Sequence, residues 1–511
     1  MYMIHIMNDE KIDSDKNVYN NLVIKQNQDD SKKHVCIVVG GSVDVGKSSF
    51  LGVLTTGELD DGRGKARATV AKHPHEIREG KTSDISTRTM CENNRELTLV
   101  DLCGHEKYLR TTLFGITGFF PDYGVVIIAA NRDILKMTKE HMGILLYMRI
   151  PFIIVVTRID IAPKNIYDET LSLLTKLLKR NKRQVEIINT IDDLDIVNYP
   201  DKYKEQEQLS MDKINSVIQK LKINPYIVPV ITVSNKTGYF IDPSKYLLTH
   251  LEPRKVWNNE MLNGSIFYIE SRFTPPGIGL VVSGLTKGNP IKVNSELLIG
   301  PYGKEFRKIK AWSLHDNTKN IVKELVDRQR GCIAIKPADK KDDVSKSNIR
   351  KGMIIITKGL EQNICYKFTA NITILNHSTV ISSKYCPVIH CGTIRQSAKI
   401  MLAENQEALK TGDDAIVNFR FTQHPEFVEI GNTFFFREGT TRGFGTVKEI
   451  LPVKDDPDPN PAAPKHKRFL RQRHRQRNQE QRNHDKHDPN KQSGQNPKFN
   501  KVIKKLNIEI N

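Results

Sequence analysis

The residues best suited to chemistry begin at "GSVDVGKS", positions 41–48, which has the form GxxxxGK[ST]. Gly41 and Gly46 let a backbone wrap an anion with no Cβ in the way, and amides at the start of a following helix form a nest for phosphate. Lys47 supplies charge to the β- and γ-phosphates of a nucleotide, and the Ser48 hydroxyl is a Mg2+ ligand. Ser42, Val43, Asp44, Val45 and Ser49 make up the rest of the nucleotide contact. Asp101 ends the run "RELTLVD", where a carboxylate stands behind the magnesium ion. Thr82, in "EGKTSD" between the loop and Asp101, offers a second magnesium hydroxyl. In "DLCGHEKY" the Gly104 amide can approach the γ-phosphate closely. His105 follows it directly. A solvated surface histidine is one reading; an imidazole that positions a water for attack on phosphate is the other.

A base-reading pattern lies further on. "VVTRID" ends at Asp160, whose carboxylate can accept hydrogen bonds from guanine N1–H and N2–H2. Adenine presents no such donor pair, so the choice falls on GTP and GDP over ATP. Arg158 can lay its guanidinium and stem over the purine. In "VSNKTG", Ser234, Asn235 and Lys236 place backbone amides where guanine O6 would sit. Thr157 directly precedes Arg158 at the end of the β-branched run. His73 and His75, in "KHPHE", have no Cys or acidic partner at ligand spacing and read as loop residues.

These groups need strands to hold them. "HVCIVVG", "RELTLVD", "GVVIIAA", "PFIIVVT" and "YIVPVITVS" are apolar, β-branched runs, and amphipathic stretches such as "TKEHMGILLYMR" and "ETLSLLTKLLKR" separate them. That alternation predicts an α/β P-loop GTPase domain over 34–254, a mostly parallel sheet with helices on both faces. The polar stretch 189–208 reads as an insertion or long loop. From 258 onward the helical period fades into short strands broken by Gly, Pro and Asn. Two antiparallel β-barrels are predicted, over 258–358 and 362–452, with "KGMIIIT" closing the first. Residues 1–33 and 453–511 read as disordered ends.

The chain has 511 residues, is 38% hydrophobic and 27% charged, and carries a net charge of +19. The stretch from Val453 on holds 15 Lys/Arg against 7 Asp/Glu, so the body is basic as well. A polyanionic partner, RNA before membrane, suits that balance, although basic composition also serves solubility alone. The run "KHKRFLRQRHRQR" at 465–477 suits phosphate contacts, a solubilising role or nuclear import. Seven dispersed cysteines without CxxC spacing give no zinc or redox motif and fit a reducing compartment. No run is long and apolar enough to span a bilayer, and the first residues lack the pattern of a secretory signal.

In this order, the phosphate loop, switch threonine, DxxGH, TRID and SNK motifs resemble the translational GTPases. The two barrels resemble the second and third domains of elongation factors Tu and 1-alpha. The resemblance is more specific to the GTP-binding protein 1 and 2 group, through "GKSSFLGVLTTGELDDGRGKAR", "HEIREGKTS", "DLCGHEKYLRTTLFGITGFFPDY", "MTKEHMGILL", "HCGTIRQSAKI" and "FREGTTRGFGTV". It covers about 34–452. It implies a cytoplasmic, monomeric GTPase that uses GTP, GDP and Mg2+ and engages aminoacyl-tRNA or related RNA at the ribosome, with an exchange factor as a further partner left open. It also implies that His105 orients the hydrolytic water when the ribosome moves it into place. A nucleotide-gated RNA-binding adaptor in mRNA decay or ribosome rescue is the alternative. Guanine-reading loops of such GTPases commonly read NKxD, and Thr157 and Arg158 replace the first two here; the single Thr157 hydroxyl replaces an amide's two hydrogen bonds, so weaker nucleotide affinity is expected, with the guanine preference kept by Asp160. The elongation factors carry an isoleucine before the switch threonine; Lys81 sits there, opposite Val43, and the gate before His105 is half polar. The N-terminal extension is shorter than the group's, and the basic tail is not part of the shared pattern.

Overall fold

Val, Ile and Leu fill both faces of the central strands in the first domain, so these strands are covered on both sides rather than one. The computed structural model describes residues 33–456, except 72, 74–75, 77–81, 192–193, 255–262, 340–343, 378–379, 384, 403–407 and 440. The N-terminal extension before Lys33, the basic tail beyond Asp456, His75 and Lys81 lie outside the described residues.

Seven strands form the first sheet: β1 (Lys33–Gly40), β2 (Ser86–Glu92), β3 (Arg95–Asp101), β4 (Tyr123–Ala129), β5 (Phe152–Thr157), β6 (Gln184–Ile187) and β7 (Ile227–Thr232). Their order is β2-β3-β1-β4-β5-β7-β6, parallel throughout except for β2, which runs antiparallel to β3. The helices are α1 (Lys47–Thr56), α2 (Lys65–Ala68), α3 (Leu109–Gly118), α4 (Lys136–Tyr147), α5 (Lys164–Arg180), α6 (Pro200–Ile223) and α7 (Ile241–Thr249). The register sets Val39 beside Asp101 and Ala129 beside Thr157. The chain therefore leaves β1, β3, β5 and β7 at one edge, the carboxyl ends of parallel strands, where ligands bind in open α/β sheets.

The long loop expected at 189–208 is in part helical. Pro200 opens α6, its fixed φ suiting a first helical turn. Tyr203, Ile214, Val217, Ile218 and Leu221 then bury one face at helical spacing. The 189–208 stretch conceals this because its polar residues occupy the helix's largely solvated first half, while most of the apolar stripe falls beyond position 208.

Both expected barrels are present, each closed by six strands. The first uses β8 (Ser265–Phe273), β9 (Val281–Gly288), β10 (Glu296–Tyr302), β11 (Glu305–Asp316), β12 (Arg330–Pro337) and β13 (Ile354–Ile356). The order β10-β13-β8-β9-β12-β11 closes through pairing of β11 with β10. Strand β13 comes from "KGMIIIT" and fills the gap between β8 and β10, as expected. The second uses β14 (Ile364–Asn376), β15 (Val388–Cys391), β16 (Ile394–Met401), β17 (Asp414–Phe421), β18 (Thr433–Glu438) and β19 (Thr441–Pro452). Its order β17-β16-β15-β18-β19-β14 closes through β14 and β17.

Charged and aromatic contacts join the three parts. Arg330 of the first barrel, paired with Glu270 of its own barrel, reaches the Phe119 carbonyl, and Arg328 reaches Asp122. Arg442 of the second barrel pairs with Glu140 on α4, and Phe444 stacks on Tyr147 at 5.1 Å. Between the barrels, Tyr268 Oη donates to Glu429 at 2.7 Å, and Lys287 pairs with the same carboxylate at 2.8 Å.

Candidate functional site

The turn after β1 carries the strain that a phosphate loop needs. Asp44 and Gly46 take left-handed backbone angles, φ 59° and 85°, and Gly46 caps α1. The Lys47 side chain is buried, and its Nζ donates to the Ser42 carbonyl at 2.7 Å, folding back over the loop. Burial pulls the Lys47 pKa down, against the pull of Asp101, Cys103 and Asp44, so the ammonium is held short of counter-charge. Gly104 comes against it closely. A Cβ there would lie 2.5 Å from Lys47 Nζ and 2.8 Å from the Ser42 carbonyl carbon, so only glycine fits.

Behind Lys47, Ser48 Oγ donates to Asp101 Oδ2 at 2.6 Å. Thr82 Oγ1 is 3.4 Å from the same oxygen and 3.3 Å from Ser48 Oγ. Asp101 is 2% exposed, and its Oδ1 is buried with no hydrogen-bond partner among the described residues. Burial raises its pKa, with Lys47, Ser48 and Thr82 opposing. Two converging hydroxyls beside an unsatisfied carboxylate oxygen fit a hard divalent cation such as Mg2+, which takes oxygen ligands and retains waters. His105 lines the same open cleft, of about 480 Å³, with Lys47, Ser48 and Gly104. Its Nδ1 accepts from the Lys107 amide at 3.1 Å. In the neutral ring the proton then sits on Nε2, so the imidazole has a donor to offer a ligand.

At the other end, Thr157 is fully buried, and its Oγ1 lies 2.7 Å from the Val45 carbonyl and 3.2 Å from that of Ile128. The hydroxyl thus braces the phosphate loop from the strand beneath it. Asp160 Oδ1 accepts from Ser234 Oγ at 2.9 Å, which fixes the carboxylate's orientation. The Ser234 amide is occupied by the Tyr239 carbonyl at 3.1 Å, so Ser234 enters the site through its hydroxyl. Asn235 lies over Gly46, and Lys236 flanks Gly62. Arg158 also lines the cleft, at φ 63°, with burial and then Arg132 pulling its pKa down.

The structure adds residues that the motifs did not single out. On α4, Thr138 exchanges hydrogen bonds with Ser42, and His141 Nδ1 accepts from the Gly41 amide at 2.8 Å. Burial and Lys47 push the His141 imidazole down to about 3, which keeps it a neutral acceptor. The buried Glu76 accepts from the Ser83 amide at 2.7 Å, the Ser83 hydroxyl at 2.8 Å, and the Asp84 and His73 amides, pinning the chain next to Thr82. Arg67 lines the cleft as well. No metal-holding group of three or more His, Cys, Asp or Glu occurs among the described residues.

Residues 32–271 match the family described as elongation factor Tu GTP binding domain, and residues 362–451 match elongation factor Tu C-terminal domain. The chain is 37% identical over 458 residues to GTP-binding protein 1 of Xenopus laevis, covering 84% of this chain and 65% of that one. It is 32% identical over 443 residues to GTP-binding protein 2 of Homo sapiens, covering 82% and 69% respectively. The chain thus spans about two thirds of the length of these relatives. Among solved structures, elongation factor SelB from Methanococcus maripaludis with the GTP analogue GppNHp superposes with TM-score 0.57 at 21% identity, covering 83% of this chain and 80% of that one. The GTP-bound S. cerevisiae Ski7 GTPase-like domain gives 0.62 at 15% identity, covering 82% and 98%. Identities this low speak for the fold.

Proposed function

The chain belongs to the GTP-binding protein 1 and 2 family of translation-factor-type GTPases, and from that membership we propose that it is a cytoplasmic GTP-driven switch that engages aminoacyl-tRNA or a related RNA at the ribosome. The observation that carries this reading is the convergence of Thr82, from a separate segment of chain, on Ser48 of the phosphate loop and on Asp101. A contact of that kind can be made or lost with a γ-phosphate, which is what a switch requires.

In this reading Lys47, freed from the Ser42 carbonyl, holds the β- and γ-phosphates. Ser48 and Thr82 offer hydroxyls, with Asp101 behind them, to Mg2+, which when bound neutralises charge at the β–γ bridge. Asp160, oriented by Ser234, reads guanine. Gly104 brings its amide to the γ-phosphate. His105 donates from Nε2 and orients the attacking water; it is not a base, because Nδ1 is already engaged as an acceptor. Phosphoryl transfer needs positioning and charge more than proton abstraction, so an orienting donor suffices. The basic body supplies phosphate contacts for the RNA.

Steady-state GTP turnover with and without ribosomes tests the reading. Stimulation is expected, and an equal rate in both removes the ribosome from the function. RNA crosslinked to the GTP-analogue form is expected to be tRNA. Recovery of messenger RNA that depends on residues 465–477 would favour the adaptor role instead.

A further inference from the structure

We propose that Arg67 is a second side-chain cation for the nucleotide's phosphates, supplied in cis by α2. This rests on the nucleotide reading above. Arg67 lines the phosphate cleft with Lys47, Ser48 and Ser49, and also the smaller hollow behind it with Thr82 and Asp101. It is half-buried, and among the described residues its guanidinium has no ion pair and donates no hydrogen bond to a protein acceptor. An arginine placed in this way keeps its donors available to whatever fills the cleft it lines. Its planar fork suits two oxygens of one phosphate.

The local sequence is arranged to put it there. In "DDGRGKARA" the Arg63 and Lys65 amides donate to Asp61 and the Ala66 amide to Asp60, which shapes the entry to α2. Ala66 is buried against α1, and a side chain at Gly52 would collide with its carbonyl, so α2 sits directly on the helix of the phosphate loop. Gly64, at φ 98°, supplies the notch: a Cβ there would come within 2.7 Å of Arg67 Nε and 3.0 Å of Cζ. The guanidinium thus folds across Gly64 toward the cleft. An arginine supplied by a partner arrives only on encounter. Arg67 instead rides on α1 and is present whenever the loop is folded.

The test is titration of the full-length protein with GDP and with a non-hydrolysable GTP analogue, each with Mg2+, alongside melting of the nucleotide-free protein. Arg67→Ala is expected to lose about tenfold or more in affinity, the worth of a charge-assisted hydrogen bond or two, with unchanged melting. Arg67→Lys recovers part of the loss, and Arg63→Ala, an exposed neighbour, binds as wild type. A greater loss for the GTP analogue than for GDP assigns the contact to the γ-phosphate; equal losses assign it to the other two. Wild-type affinity in Arg67→Ala overturns the inference. So does an equal loss in Arg63→Ala, or a loss accompanied by lowered melting of the free protein. If the wild-type chain binds neither nucleotide, the proposed function fails and this inference goes with it.

Discussion

Replacing Thr157 by valine removes one hydroxyl and keeps the β-branched shape, so the packing of β5 is preserved. The hydroxyl is fully buried. Its stronger contact is with the Val45 carbonyl at 2.7 Å, the weaker with Ile128 at 3.2 Å. Stranding a buried carbonyl costs about 1–3 kcal/mol. Ile128 lies in the middle of the sheet and is held there by β5, whereas Val45 belongs to a loop whose amides must converge on phosphate. Most of the cost therefore falls on nucleotide binding. At about 1.4 kcal/mol per decade it corresponds to a roughly 5- to 150-fold rise in the Kd for GDP. Calorimetric titration measures that change, and a thermal melt run in parallel measures any loss shared with the fold. The guanine over adenine preference is expected to persist, because Asp160 and Ser234 are untouched. A Kd within twofold of wild type refutes the bracing role, whether or not the melting temperature falls.

His105→Ala is expected to bind GTP normally and to lose ribosome-stimulated hydrolysis; stimulated rates equal to wild type refute the orienting role. Asp160→Asn is expected to shift preference from guanine toward xanthine nucleotides, and an unchanged profile in competition titrations counts against the base site. Glu76→Ala releases the Ser83 and Asp84 amides, so affinity for a GTP analogue is expected to fall several-fold while that for GDP holds; an unaltered ratio of the two Kd values refutes the link to Thr82. His390 is buried in the second barrel, and burial, then Arg395, Arg110 and Arg437, pushes its imidazole from 6.5 down to about 3. Between those values the unfolded chain binds a proton that the folded chain does not, so this group's contribution to stability falls as pH falls through the window. His390→Phe is expected to flatten the acid side of the stability profile by up to one proton, and urea unfolding at pH 7 and pH 5 in both chains gives the comparison; equal slopes refute it.

Much of the candidate site was legible in the sequence because strand ends present it in contiguous runs. Gly41 to Ser49, Asp101 to His105, Thr157 to Asp160 and Ser234 to Lys236 each follow an apolar strand, and parallel pairing then gathers them at one edge. The barrels were legible from Gly, Pro and Asn breaks, and β13 from three isoleucines in a row. What escaped acts across distance. His141 meets Gly41 a hundred positions away, and no spacing rule connects them. Glu76 looks like an ordinary surface acid until the chain folds back to bring it donors from His73, Ser83 and Asp84. Arg67 is one of many arginines in a basic chain, and its environment depends on how α2 lies against α1. The first half of α6 was masked by its own polarity, since the apolar stripe that anchors it falls later.

Helix α4 has a property of a different kind. Two of its side chains, Thr138 and His141, hold the turn around Gly41 and Ser42, while Glu140 and Tyr147 grip Arg442 and Phe444 of the distant barrel. The same helix thus holds the loop with one set of side chains and the barrel with another, Glu140 lying between Thr138 and His141 in sequence. A displacement of that barrel is therefore expected to reach the anion cradle through this one helix, by way of neighbouring side chains on it.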